Sequence, residues 1–157
     1  MPKRTVLLSL LFVLALASPA WAGAPTMPLG QVARGMHCTG LSVVQGTTIS
    51  SFDVDVVDVI VGVKGEQARI LVRVSGPAID ASGIAQGFSG SPVYCTDAAG
   101  AQRVIGAISE TVGEYGEKVG LVTPIEQILG APVSPPPTAH YRPALLRSAK
   151  PAVGPLT

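Results

Sequence analysis

Residues 87–95 read GFSGSPVYC, a glycine-rich turn that leads directly into an apolar run. A serine held between glycines at a tight turn can expose its hydroxyl and aim neighbouring backbone N–H groups at one point. That arrangement serves a serine nucleophile beside an oxyanion hole, and it makes Ser89 the candidate nucleophile. The same residues also suit an ordinary turn between two strands, so the turn alone leaves both interpretations open.

The segments around this turn read as short strands separated by glycine-rich turns. Val and Ile are abundant there and long helical periods are missing, which is typical of a β-sandwich or barrel. Six strands are expected, at residues 40–44, 52–63, 68–74, 91–95, 103–109 and 119–123. The predicted fold class is therefore all-β, a single six-stranded barrel with a short C-terminal helix at residues 125–129. An α/β-hydrolase elbow is excluded, since Ser91 replaces its final glycine and no crossover helices are evident.

The second predicted strand changes phase part of the way along. Phe52, Val54 and Val56 alternate with acidic residues, whereas from Val57 onwards the odd-numbered positions carry the valines. A shift of one residue sends side chains to the opposite face of a sheet. We therefore expect a β-bulge or sharp bend near residues 56–58.

Three segments stand in a familiar order: SGSPVYC at 89–95 within the opening stretch, IGAIS at 105–109 and GLVTPIEQIL at 120–129. This order resembles chymotrypsin-like serine proteases. The chain is more similar to the SpoIVB-type serine peptidases of that clan, whose GMSGSP turn stands here with Phe88 in place of Met. The resemblance covers residues 29–130. It implies a trypsin-like barrel over residues 35–130, peptide-bond hydrolysis by Ser89, and an oxyanion hole formed by the N–H groups of Gly87 and Ser89, which should converge on one point.

The rest of the catalytic apparatus is not evident. Of the two histidines, His140 lies in a proline-rich tail where nothing is expected to hold it. His37 adjoins Cys38 at the start of the body and is the candidate base, with a surface histidine at a strand edge as the alternative. SpoIVB-type enzymes place the histidine well upstream, and this chain has no upstream barrel. The Asp-Pro of sporulation members is replaced by Gly76-Pro77, and Asp80 is expected to cap a turn.

Cys38 and Cys95 are the only cysteines of the chain. An even count in an exported protein suggests a disulfide, with two buried free thiols as the alternative. The protease resemblance favours the pair, because a cysteine after the active-site strand often pairs there with one on the first strand of the same barrel. Without a CxxC motif or a His/Cys cluster, neither a metal site nor a cofactor is expected.

The two ends of the chain differ from its body. Residues 1–22 have the three parts of a secretory signal peptide, with cleavage expected after Ala22 and export to the periplasm or medium. Their apolar run is short for a membrane span, although a retained anchor is the alternative. Residues 23–34 form a lead-in, and no stable membrane span is expected afterwards. Residues 131–157 are proline-rich and read as a disordered tail or linker, with a structured cap as the alternative.

Charge and composition limit the partners. Without Lys3 and Arg4 the formal net charge falls from +1 to −1. There is no basic face with interleaved aromatic residues, so nucleic acid is not an expected partner. Three functions remain: an exported serine peptidase acting on peptide or protein substrates, a non-catalytic binding module on a protease barrel, and a fragment of a longer enzyme. In the last case a partner chain or another segment would supply the missing catalytic groups.

Overall fold

Six strands close into an antiparallel barrel in the computed structural model, which describes residues 24–62 and 67–153. The strands are β1 (His37–Gln45), β2 (Thr48–Val61), β3 (Arg69–Ser75), β4 (Pro92–Thr96), β5 (Gln102–Thr111) and β6 (Val119–Pro124). Around the barrel they follow the order β1-β4-β5-β6-β3-β2, and β2 pairs with β1 to close it. The predicted all-β class with one six-stranded barrel is confirmed, and it is consistent with a chymotrypsin-like barrel.

The predicted bulge in β2 is present. Val56 pairs with Val72 of β3, but the next pair joins Asp58 to Leu71, which leaves one residue of β2 unpaired. The extra residue lets β2 bend while Val56 and Val59, on either side of the bulge, both remain in the main core. The change of phase in the sequence is therefore a corner of the barrel.

The disulfide between Cys38 and Cys95 is also confirmed. The two residues lie directly opposite each other on β1 and β4, with their Cα atoms 4.3 Å apart. Both are buried, so the bond fastens two neighbouring barrel strands from within the core.

The lead-in contributes to the same core. Met27, Leu29 and Val32 are almost fully buried, and the N–H of Leu29 donates to Glu126 Oε1 over 2.6 Å. Glu126 lies in the short helix α1 (Ile125–Ile128), which follows β6 as expected. The start of the body is thus attached to its end.

Residues 131–153 pack against the barrel, so the expectation of a linker or disordered tail is wrong over this range. The segment contains β7 (His140–Tyr141), α2 (Pro143–Ser148) and β8 (Lys150–Pro151). Strand β7 runs parallel to β2, and β8 runs antiparallel to β5. We call residues 131–153 the tail.

Apolar packing explains why the tail is ordered despite its prolines. Leu145 and Leu146 of α2 pack against a second apolar cluster, which is separate from the main core and consists of Ile60, Leu71 and Leu121. Pro143 stands at the first position of α2, where a missing N–H costs no hydrogen bond. The prolines therefore restrict the tail without preventing its packing.

The predicted signal peptide, residues 1–22, lies outside the described residues, as do residues 63–66 and 154–157. Within the part of the chain that the structure describes, no helix is both long and apolar enough to cross a membrane.

Candidate active site

The serine turn, residues 87–91, depends on two glycines with positive φ. Gly87 has φ 96° and Gly90 has φ 88°, a conformation that side chains with a Cβ resist. Between them Phe88 is buried and packs edge-on against Phe52, with ring centroids 6.2 Å apart. The aromatic contact fixes the turn to the core, while Ser89 stays half-buried at the surface.

Hydrogen bonds hold the serine turn to two neighbouring strands. The N–H of Gly90 donates to the carbonyl oxygen of Ile108 on β5 over 2.8 Å, and the N–H of Ile108 donates to Ser91 over 2.9 Å. The buried Ser91 hydroxyl donates to Ser42 Oγ of β1 over 2.9 Å. Ser89 therefore lies on a turn that is supported on both sides, as a preorganised site requires.

The N–H groups of Gly87 and Ser89 converge on one oxygen. That oxygen is the carbonyl of Ala152 in the tail, at 2.8 Å from the Gly87 nitrogen and at a longer 3.4 Å from the Ser89 nitrogen. The two N–H groups converge as expected, but an internal hydrogen bond to the chain's own carbonyl engages both of them, so the open oxyanion hole expected from the sequence is occupied in this structure. On its other side, the Ala152 N–H donates to the carbonyl oxygen of Ser109 over 2.9 Å.

This contact gives the tail residue the geometry of a bound peptide. One peptide group of Ala152 is tied to β5, and the next presents its carbonyl to two N–H donors on the turn that bears Ser89. Paired donors of this kind stabilise the negative charge that develops on a carbonyl oxygen during nucleophilic attack. The arrangement can bind an extended chain and polarise one of its carbonyls.

An open groove of about 470 Å³ also borders the serine turn. Its lining includes Ser89, Leu41, Tyr94, Val43 and Ile49. Val43 and Ile49 are large apolar side chains that remain 52% and 68% exposed. Ser89 therefore lies between the tail on one side and an uncovered apolar surface on the other.

The structure does not bring His37 to Ser89. His37 is the first residue of β1, and its Nδ1 lies 2.5 Å from Asp55 Oδ1 on the outside of the barrel. Ser42, which contacts the serine turn, is five residues further along β1, about 17 Å at the rise of a strand. The disulfide forms as predicted, but it leaves His37 at the far end of β1 from the serine turn, so the position of His37 does not support it as the candidate base.

His140 is held in place, contrary to expectation, but far from the serine turn. Its Nδ1 lies 2.9 Å from Asp58, whose carboxylate also accepts the N–H of Val59. His140 is in β7 and pairs with Ile60 of β2, ten residues along that strand from Ser50, which pairs with the Ser42 that contacts the serine turn. Both histidines of the chain are thus paired with aspartates away from Ser89.

Asp80 has the structural role expected for it. Its carboxylate accepts the N–H of Gly76 over 3.3 Å and bonds to Lys118 Nζ at 2.7 Å. The hydrogen bond from Lys118 is the main cause that lowers the pKa of Asp80. Among the described residues, no three His, Cys, Asp or Glu side chains gather as metal ligands would.

Sequence reasoning missed Ala152, whose carbonyl docks on the serine turn, and Ser109, which accepts the Ala152 N–H. Ser109 closes the IGAIS segment, so its position in the resemblance was a usable signal. Ala152 carried none, because nothing local in a proline-rich tail shows that one carbonyl docks on a distant turn.

The chain matches no protein-family model, and no curated protein is significantly similar to it. The likeness to SpoIVB-type peptidases therefore rests on the quoted residues alone.

Proposed function

We propose that this chain is a SpoIVB-type serine peptidase domain that binds an extended peptide beside β5 and uses Ser89 as the nucleophile. The observation that carries the proposal is the pair of N–H groups of Gly87 and Ser89 meeting on one peptide carbonyl. The Ser109 carbonyl, which accepts the preceding N–H, supplies the second point of attachment. We call the surface between the serine turn and β5, on which Ala152 lies, the peptide cleft.

The chemistry would be acyl transfer. The hydroxyl oxygen of Ser89 forms a bond to the substrate carbonyl carbon. The two N–H groups stabilise the negative charge that develops on the former carbonyl oxygen. The C–N bond then breaks, and the amine leaves with the proton that a base took from the hydroxyl. Water hydrolyses the resulting ester, which restores the serine and releases the acid.

The base of this reaction comes from outside the chain. Both histidines are paired with aspartates elsewhere, and a serine hydroxyl is a weak nucleophile without an adjacent base. The exposed Val43 and Ile49 beside Ser89 form a surface on which a partner chain, or a further part of a longer protein, could sit. Such a partner would bring an imidazole to Ser89.

Export also belongs to the proposal. A disulfide between buried cysteines is typical of proteins in an oxidising compartment, and the N-terminal sequence reads as a signal peptide. The substrates would then be peptides or proteins outside the cytoplasm.

A second candidate is a non-catalytic module that binds peptides on a protease barrel. The absence of a histidine beside Ser89 favours it, whereas the convergence of two N–H donors next to a serine favours the peptidase. In both cases the ligand would be an extended peptide.

A fluorophosphonate probe, which reacts with an activated serine hydroxyl, separates the two. The experiment uses the Ala152→Phe variant. A phenyl ring does not fit the fully buried position of Ala152, so the tail should leave the serine turn and free the two N–H groups. Added imidazole stands in for the missing base. We expect labelling of Ser89 that rises with imidazole and is absent after Ser89→Ala. Ser51→Ala, an exposed serine of β2, is the matched control and should label normally.

Two results would change the assignment. A folded chain that never labels at any imidazole concentration would favour the binding module. Fast labelling without imidazole that disappears with His37→Ala would show that the chain contains its own base.

A further inference from the structure

We propose that Lys150–Val153 form a built-in ligand that blocks the peptide cleft, and that this cleft selects peptides with a small residue at the position of Ala152 and proline before it. The inference rests on the proposed function in one respect, that the cleft beside Ser89 is the peptide site. It adds the class of peptide that the cleft binds, and it explains why the cleft is occupied when no peptide is present.

The register of β8 on β5 is that of an antiparallel substrate strand. Lys150 pairs with Thr111 and Pro151 with Glu110, and the N–H of Ala152 donates to Ser109. In such a ladder every second pair makes no backbone hydrogen bonds. With Ala152 bonded to Ser109, the unbonded pair is the one that contains Pro151, the residue that lacks an N–H.

Proline at this position is therefore compatible with the cleft. Its carbonyl oxygen has a separate partner, since the Tyr115 hydroxyl donates to Pro151 over 3.1 Å. A ligand with proline at this place loses no hydrogen bond and is already restricted in φ, which lowers the entropic cost of binding.

The position of Ala152 accepts a methyl group and has little space beyond it. Ala152 is fully buried within the main core cluster, which also contains Ile84 and Phe88. A larger side chain at the position of Ala152 would have to push buried groups aside, which is unfavourable.

The contacts that the tail makes beside Ala152 are weak enough for a free peptide to displace it. Lys150 Nζ bonds to the exposed Glu114 at 2.6 Å and lies 6.0 Å from the centre of the Tyr115 ring. Exposed ion pairs of this kind add little stability. Strand β8 has only two residues. A free peptide of the same sequence can therefore compete with the tail.

Amide hydrogen exchange of Gly87 and Ser89, followed by NMR on the full chain, tests this inference without catalysis. Ala152→Phe should speed exchange of both amides about tenfold or more, since overpacking shifts such an equilibrium by one to two orders of magnitude. The matched control is Val153→Phe, which introduces the same phenyl ring at a neighbour that is 59% exposed, and it should leave both amides protected.

Two peptides then test the selection. A peptide with the sequence of residues 149–153 should restore protection of the two amides in the Ala152→Phe chain, whereas the same peptide with Phe in place of Ala152 should not. If Ala152→Phe prevents folding, Tyr115→Phe removes the hydrogen bond to Pro151 from an exposed side chain and should raise exchange several-fold.

Unchanged exchange in the folded Ala152→Phe and Tyr115→Phe chains, or equal protection by both peptides, would overturn the inference. The fluorophosphonate experiment can fail independently of the amide exchange experiment. If the exchange results are as expected but freed Ser89 never labels, the ligand inference stands and the peptidase proposal fails. If Ser89 labels equally fast in the unmodified and Ala152→Phe chains, the tail does not block the cleft, although the peptidase proposal survives.

Discussion

The N–H of Gly87 donates to the carbonyl oxygen of Ala152 over 2.8 Å, which joins the serine turn to the far end of the tail. The contact depends on a barrel that supports the turn and on a tail that crosses its outer surface. It holds the carbonyl oxygen of Ala152 against the N–H groups of Gly87 and Ser89, the donors of the proposed oxyanion hole.

Removal of the disulfide should weaken the barrel strongly. Cys38 and Cys95 are 57 residues apart, and a cross-link over a loop of this length contributes about 4 kcal/mol in the chain-entropy model. Urea unfolding of the chain with both cysteines changed to Ala, against the oxidised chain, measures the difference. Equal unfolding midpoints would show that the bond adds nothing.

The free energy of unfolding should fall in acid, because Asp97 in the hairpin between β4 and β5 becomes protonated. The hydrogen bond from Arg103, followed by that from the Ala101 N–H, lowers the pKa of Asp97 from its ordinary 3.8. A lowered pKa in the folded state adds stability above pH 3.8, which is lost as the pH falls through the folded value.

Urea unfolding of wild type and Asp97→Asn across this pH range is the measurement for the hairpin. The wild-type chain should lose more stability than the variant as the pH falls. Parallel losses in both proteins would remove Asp97 as a cause.

The two His–Asp pairs should differ in their contribution to stability. Loss of His140 leaves the buried carboxylate of Asp58 with only the N–H of Val59 as a partner, so His140→Ala should lower the free energy of unfolding by about 1–3 kcal/mol. His37→Ala is the matched control, since that side chain is 87% exposed, and it should cost no more than about 0.5 kcal/mol. A larger loss from His37→Ala would contradict this ranking.

Ile84 shares the main core cluster with Ala152, and we expect that shortening it gives a ligand side chain more space at the position of Ala152. Ile84→Ala should cost about 2–5 kcal/mol, as for other fully buried isoleucines, and let a peptide with valine in place of Ala152 protect the Gly87 amide. Ile79→Ala removes the same atoms from an equally buried site and is the control. If Ile79→Ala broadens peptide preference as much, general loosening of the core explains the effect.

The strands and the site differ in how far sequence predicts them. The apolar alternation around Val56 indicated both a strand and its bulge, because side-chain period and face are local properties of a strand. The serine turn was likewise evident from Gly87 and Gly90, whose positive φ needs glycine. The Cys38–Cys95 pair followed from a resemblance and not from local pattern.

The tail was not predictable in the same way. Its order depends on Leu145 and Leu146 reaching an apolar cluster built by strands far away in sequence, and no periodicity within the tail reports that cluster. Proline density suggested a mobile segment, but Pro143 and Pro151 occupy places where an N–H is not needed. His37 was misplaced because the disulfide fixes β1 against β4 without fixing which end of β1 meets the serine turn.

The central claim, that Ser89 attacks a carbonyl held by Gly87 and Ser89, has a direct test. The measurement is a crystal structure of the Ala152→Phe chain with a peptide boronate of sequence Ala-Lys-Pro followed by the boronic acid analogue of alanine. The account predicts a covalent bond from Ser89 Oγ to boron, one boron oxygen within hydrogen-bond distance of both N–H groups, and the peptide antiparallel to β5. A boronate bound elsewhere, or in the cleft with no bond to Ser89, would contradict it.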